Sequence, residues 1–425
     1  MSITPKTKRR NLIAPAEPKT QRLLNRRKVL TGMAAGAVTL SMGPAFLRRA
    51  SAATGPIKIG MPLALTGPIG IVGQQIKRSC ELWAKMKNAS GGLLGQKIEL
   101  VVEDTGGNPA ACVRKTQQMV DRDGVRIITG IVFSSEALAL APKLKEWNTI
   151  FMSSSNGDGR LTADALVPNF FRPNTSGPMG ARTVSLHLRQ SKSNKIAALG
   201  LDYAWGHNSV QVFEEEMKRA KKNFVGKLFA PTGTKDYATY IAKLKDLDAD
   251  AVFLVLQGDD NNAFLSQAKQ FRLGEKMELL TEIVDLDSIR AVGDASLGLM
   301  GSSRYSFTYN HPKNKEFVAL WQKEYNNVPD TFEGESWQTM AVLEAGILKA
   351  KSIDAEPLRA ALETVELESV KGKLTMRKCD HQAVQQGFMV KVVKREGFSH
   401  PVPDVVAVYP GDVTTPRCNK TSYDD

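Results

Sequence analysis

Residues 57–155 alternate four short apolar runs with glycine-rich or polar turns and helix-patterned stretches. That cadence restricts the chain to an α/β fold built on a parallel sheet. The runs are IKIGMPLAL (57–65), IELVVED (98–104), VRIITGIVF (125–133) and TIFMSS (149–154). The first is apolar nearly throughout, as a strand covered on both faces has to be. Each but the last leads through a turn into a helix, so the tips of successive strands lie side by side at one edge. In an open α/β sheet that edge is where ligands bind.

The pattern then restarts. A strand-like NFFRP (169–173) and a helix (179–189) lead to strands KIAALGL (195–201), NFVGKLFA (223–230), DAVFLVL (250–256) and MELLTE (277–282). Helices are expected between them over 209–222, 236–247 and 262–271. At 425 residues the chain is too long for one core, and two similar halves of roughly 120 residues each suit two lobes of domain size. Beyond residue 299 come long helical patterns (314–325, 335–351, 356–366) and then β-like segments at 387–393 and 403–409.

The formal net charge of +13 first suggests an anionic partner. Residues 1–53, however, hold eleven Lys/Arg and a single acid, Glu17, leaving about +3 for the rest. The basic excess belongs to a leader and not to a nucleic-acid surface. Asn25-Arg26-Arg27-Lys28-Val29-Leu30 precedes a mildly apolar run over 31–47, and Ala50-Ser51-Ala52-Ala53 follows. This reads as a secretory signal with an A-x-A cleavage site, and the paired arginines suit the twin-arginine export route. The run is short and broken by Gly and Pro, unlike a membrane span. Residues 1–53 are therefore expected to deliver the chain to the periplasm.

An exported chain can form disulfides. Cys80, Cys112, Cys379 and Cys418 allow three full pairings, and their spacing fits no zinc pattern. Cys379 with Cys418 is the expected pair, since both lie in the C-terminal segment; free thiols are the alternative.

Candidate binding residues sit at the strand tips. Ser134-Ser135 follows the third strand and opens a helix, where hydroxyls and free N–H groups make an anion site without fixed positive charge. The same residues also read as a helix N-cap. Ser153-Ser154-Ser155 ends the fourth strand beside them. Tyr203 and Trp205 lie at the tip of the first strand of the second half, where an aromatic facing a cleft offers a flat wall. Asp259 and Glu282 end later strands and could meet an ammonium group, or merely cap helices. An enzyme is disfavoured: the five histidines form no triad motif, and there is no G-x-S-x-G, H-E-x-x-H or P-loop.

The segments TGPIG, NASGGLLGQKIELVVEDTGGNP, SSEALALAP, DYAWG, DADAVFLVL, HPKNKEFVALWQKEYNNVPDTFEGESWQTMAVLEAGILKA and CDHQA, in this order, closely resemble the periplasmic leucine/isoleucine/valine-binding family. Its members are the substrate-binding proteins of branched-chain amino acid-type ABC importers. The resemblance implies two doubly wound parallel-sheet lobes joined by a three-crossover hinge, the type I periplasmic binding fold. It implies lobe one over 54–174 plus 306–383 and lobe two over 175–305 plus 384–425. It also implies a monomer that needs no cofactor, takes a small carboxylate ligand, and works with ABC transporter permease subunits. The Ser134-Ser135 pair would meet the ligand carboxylate, Trp205 would close over it, and Glu282 would take its amino group. Two departures stand out: acids occupy the Asp259 region, and Val72 replaces an aromatic. They keep an aromatic or aliphatic acid open as the ligand, and the same fold also serves ligand-sensing ectodomains.

Overall fold

The computed structural model describes residues 55–423; the export leader expected over 1–53 lies outside them. The first sheet comprises β1 (Ile57–Leu63), β2 (Ile98–Asp104), β3 (Ile127–Gly130), β4 (Ile150–Ser153) and β5 (Phe170–Phe171), in the order β2-β1-β3-β4-β5. All its pairings are parallel. Helices α1 (Gly70–Ala89), α2 (Pro109–Asp123) and α3 (Ser134–Leu140) connect them. The second sheet repeats this winding. Its strands β6 (Lys195–Leu201), β7 (Asn223–Ala230), β8 (Ala251–Val255), β9 (Glu278–Thr281) and β10 (Met300–Ser303) take the order β7-β6-β8-β9-β10. Its helices are α4 (Gly177–Gln190), α5 (Ala204–Arg219), α6 (Ala238–Asp246), α7 (Asp259–Gln270) and α8 (Leu286–Val292).

The rest of the chain supports both sheets. Helix α9 (Pro312–Tyr325) leads to α10 (Thr331–Ala350), which packs on α1, and α11 (Ala355–Leu362) packs on α10. Strands β11 (Glu366–Ser369), β12 (Gly372–Met376) and β13 (Ala383–Val384) form a small antiparallel sheet. Then β14 (Gly387–Val393) and β15 (Val402–Tyr409) join the second sheet antiparallel, beside β10. A short α12 (Gly411–Thr414) follows, and a disulfide joins Cys379 to Cys418. Cys80 and Cys112 are free and buried. Among the described residues no helix is long and apolar enough to cross a membrane.

Burial follows position in the sheet. Strands β4 and β8 are covered on every residue, whereas β2 and β7, at the sheet edges, are largely half-exposed and carry Glu103, Asn223 and Lys227. One local device recurs in both halves. A Cβ on Gly73 of α1 would lie 2.1 Å from the Ala64 carbonyl oxygen, and one on Gly206 of α5 would lie 1.9 Å from that of Leu201. Each glycine lets its helix start directly against the tip of its sheet's first strand.

The chain passes between the sheets three times: after β5, after β10 and between β13 and β14. The first and third crossings are locked by a buried polar network. Arg172 donates to Gln382 Oε1 (2.6 Å) and to the Asp158 carbonyl (2.6 Å). Lys371 Nζ donates to Thr175 Oγ1 (2.7 Å), Gln385 Oε1 (2.8 Å) and Glu335 Oε1 (3.1 Å), and Glu335 accepts the Thr175 N–H. Buried polar groups are tolerated only when partnered in this way.

Candidate functional site

In this winding order the first and third strands of each sheet send their connections to opposite faces, which opens a crevice at their C-terminal ends. The crevices of the two sheets face each other. Ile69 and Val72 follow β1, Val132 and Ser134 follow β3, and Ser155 and Gly157 follow β4. From the other sheet Tyr203 and Trp205 follow β6, Gln257 follows β8, Ile283 follows β9 and Arg304 follows β10. With Phe332 of α10 they enclose a cavity of about 20 Å³, room for about one water molecule.

The cleft is closed by polar clasps. Asp330, at the start of α10, accepts N–H groups of Leu286 (2.7 Å) and Asp287 (2.9 Å) at the start of α8. Gln75 of α1 donates to both Asp287 (2.7 Å) and Asp330 (3.0 Å). The Asp259 N–H reaches the Pro68 carbonyl (3.1 Å), and the Gly159 N–H reaches Asn208 Oδ1 (2.7 Å). Phe133 meets Tyr203 edge-on at 5.3 Å.

Of the residues singled out in the sequence, Ser134, Ser155, Tyr203 and Trp205 line the cavity. Ser134 Oγ accepts the N–H groups of Gly157 and Asp158, both at 3.1 Å. Its own O–H remains to be donated, since a hydroxyl is one donor and two acceptors. Ser134 is the first residue of α3 rather than its cap; the Glu136 carboxylate accepts the Phe133 N–H instead.

The others sit elsewhere. Ser135 is half-buried beside the cavity and forms none of its wall. Ser153 bonds Asn156 (3.0 Å) and Ser154 bonds Thr129 (3.0 Å), so both hydroxyls hold the β4 tip together. Ser155 donates its hydroxyl to the Ile131 carbonyl (3.1 Å). Asp259 is exposed and pairs with Lys235 (3.0 Å). As the first residue of α7 it points its side chain into solvent, and it contributes to the cleft only through its backbone.

Glu282 corrects the expectation most. It is completely buried and is paired with Arg304, whose Nη2 lies 3.2 Å from Oε1 and 3.5 Å from Oε2. The acid expected to take a ligand's amino group already holds a cation of the same chain. Arg304, at 1% exposure, also donates from Nη1 to the Ser155 carbonyl (2.6 Å), linking the tips of the two sheets. Burial pushes the Glu282 carboxyl up to about 7, outweighing the pull of Arg304. The Trp205 indole also helps hold it ionised, although its N–H makes no hydrogen bond of normal geometry. Sequence reasoning passed over Arg304 because an arginine in the polar run GSSRYS carries no local sign of burial.

Four buried acids around the cleft have raised proton affinity through burial: Glu282, Glu333 (to about 8), Asp285, which is further raised by neighbouring Asp330, and Asp330 itself, further raised by Asp287. The folded chain therefore keeps protons between about pH 4 and 8 that the unfolded chain has released, and stability falls as pH rises through that window. His381, pushed down by burial, acts in the opposite sense as one group against these four. The thermal midpoint is expected to be higher at pH 5.5 than at pH 8. A midpoint that climbs between those values would contradict the burial of these acids.

Comparisons with known proteins agree with the fold. A profile described as "periplasmic binding protein" matches residues 56–397. The "Leu/Ile/Val-binding protein homolog 3" of Brucella melitensis is 25% identical over 330 residues, 77% of this chain and 88% of that protein. A solute-binding protein of an ABC transporter from Rhodopseudomonas palustris BisB5, solved with 3,4-dihydroxybenzoic acid, superposes with a TM-score of 0.78 at 23% identity, over 84% of this chain and 98% of that one. An ABC-type branched-chain amino acid transporter structure from Rhodopseudomonas palustris CGA009 gives 0.70 at 26% identity, over 86% and 100%.

Proposed function

The chain belongs to the periplasmic binding protein family, and from that premise we propose that it captures a small carboxylate-bearing solute between its two sheets and delivers it to an ABC importer. As a member of that family it is a binding protein and not an enzyme. Export to the periplasm follows from the same reading, with residues 1–53 as leader and the twin-arginine pair as its route. The two sheets act as lobes, 54–174 plus 306–383 against 175–305 plus 384–425, hinged at the three crossings.

One observation carries the proposal. The cavity gathers strand tips from both sheets and presents donors with nothing to donate to: the Ser134 hydroxyl and Arg304 Nε. Buried unpartnered donors are costly, and a ligand oxygen placed among them removes that cost. The closed cavity, with room for about one water molecule, is too small for a carboxylate ligand, so ligand entry requires the clasps to part. A ligand that binds the closed form better than the open one shifts the chain toward closure, and that closed form is what an importer recognises. Some similar solute-binding proteins were solved in complex with aromatic acids, and other relatives are named for branched-chain amino acids.

Ser134→Ala is expected to weaken a carboxylate ligand by about 0.5–1.5 kcal/mol, the worth of one hydrogen bond. Titration calorimetry on wild type and variant measures it. Unchanged affinity would remove Ser134 from the site.

A further inference from the structure

The segment that follows β15 passes over the seam between the two sheets twice. Residues 411–415 lie on the second sheet's side, where α12 packs on α4 and Arg182 of α4 donates from Nε to the Val413 carbonyl (3.3 Å). The chain then passes to the first sheet's side. Arg377 Nη1 donates to the Pro416 carbonyl (2.7 Å), Cys418 is bonded to Cys379, and the Asn419 N–H reaches Asp380 Oδ2 (3.4 Å). Residues 381–383, just beyond these partners, are anchored on β5 and its continuation. The Arg172 N–H donates to the His381 carbonyl (2.9 Å), the Ala383 N–H donates to the Arg172 carbonyl (3.0 Å), and the His381 ring stacks on Phe171 at 4.1 Å. Tyr423 returns to the second side. It is buried there, donates its hydroxyl to the Thr414 carbonyl and lies under the Arg182 guanidinium at 4.7 Å.

The disulfide therefore closes a covalent ring around the third crossing. The chain leaves the first side after β13, runs through β14, β15 and α12, and is tied back at Cys418, 39 residues after Cys379. Thr421 carries this tie to the cleft. A Cβ on Gly159 would lie 3.0 Å from Thr421 Cγ2, 3.0 Å from Asn208 Oδ1 and 2.7 Å from Pro178 Cγ. The segment thus packs where the loop after β4 meets α4 and α5, and that loop also supplies Gly157 to the cavity wall. Resting on the solute-capture reading above, we infer that residues 411–423, tied by Cys379–Cys418, form a strap that limits how far the two lobes part and so sets how tightly a solute is held. Three crossings alone leave the lobes free to swing about them. A further covalent pass over the seam removes part of that range, so less conformational entropy is lost when the cleft closes on a ligand.

The test compares wild type with Cys379→Ser/Cys418→Ser, as full chains, by hydrogen exchange without ligand. The reporters are the Asp259 N–H, held by the Pro68 carbonyl, and the Leu286 and Asp287 N–H groups, held by Asp330. Their acceptors sit on the opposite side of the cleft, and none of them touches the strap. These amides are expected to exchange on the order of 10-fold faster in the variant, with the amides of β4 and β8 unchanged. A merely stabilising disulfide would instead speed all of them together, and that outcome, or unchanged clasp amides, would overturn the strap. If the variant fails to fold, wild type treated with a phosphine supplies the same comparison, since the phosphine is oxidised as the two sulfurs become thiols. Cys379 is exposed to it, whereas Cys80 and Cys112 are buried and already free. Calorimetry with benzoate and L-leucine follows, and whichever binds wild type is expected to bind the variant on the order of 10-fold more weakly. Equal affinity would overturn the strap's part in holding solute. Binding of neither compound to wild type would count against the carboxylate reading alone, because the exchange result judges the strap without ligand.

Discussion

Lys371→Met is expected to lower the stability of the fold by about 3–5 kcal/mol, the usual consequence of removing one partner from a buried ion pair. Lys371 and Glu335 are both at most 1% exposed. Without the ammonium, the Glu335 carboxylate keeps the Thr175 N–H and hydroxyl but no countercharge. Gln385 Oε1 then loses one of its two donors. Burial already pulls the Lys371 ammonium below its ordinary range, so the pair survives on mutual contact rather than on solvation. Glu335→Gln added to Lys371→Met removes the orphaned charge and should recover much of the loss. Urea unfolding of the three proteins measures both steps. A loss under about 1 kcal/mol for the single variant would mean that water reaches this network. The same residues hold the first and third crossings, so the double variant is also expected to close over ligand less readily.

The second large effect is expected at Gly157. Its added Cβ would lie 2.3 Å from Trp205 Cδ1 and 2.9 Å from Arg304 Nη2. The backbone cannot retreat easily, because its N–H is held by Ser134 and its carbonyl by the Gly177 N–H (2.7 Å). Overpacking of this kind is unfavourable by about 1–3 kcal/mol. Trp205 and Arg304 reach Gly157 from the opposite sheet, so the strain falls on the closed arrangement and not on either sheet alone. Gly157→Ala is therefore expected to reduce ligand affinity on the order of 10- to 100-fold, with a smaller change in unfolding midpoint without ligand. Equal affinities would mean that the cavity is not where ligand binds.

The central strands were legible in the sequence because they are buried on both faces. AVFLV is a continuous apolar run for that reason, and IKIGMPL is interrupted only by the half-buried Lys58. The restart of the pattern after residue 195 was legible too, and with it the doubling of the sheet. Strand β10 was not: Met300–Ser303 is four residues long, half of them serine, and is held between β9 and β14 by backbone pairing rather than by side-chain pattern. With β10 went Arg304, the residue on which the electrostatics of the cavity turn. Glu282 was found as an acid at a strand tip, but its partner lies 22 residues further on. Nothing local says that the tips of β9 and β10 meet. Ser153 and Ser154 erred in the other direction. Hydroxyls at a strand tip look available, yet these turn back to Asn156 and Thr129. The buried Lys371–Glu335 pair, 36 residues apart, is equally silent in the sequence.

Thermal unfolding of the full chain against millimolar benzoate, cyclohexanecarboxylate, butyrate, L-leucine and L-valine tests the central claim most directly, with wild type and Gly157→Ala side by side. A ligand that binds only the folded state raises the midpoint by mass action. The account predicts that at least one carboxylate raises the wild-type midpoint and that the rise is largely lost in Gly157→Ala. Equal rises in both proteins, or no response to any carboxylate, would contradict a carboxylate site between the two sheets.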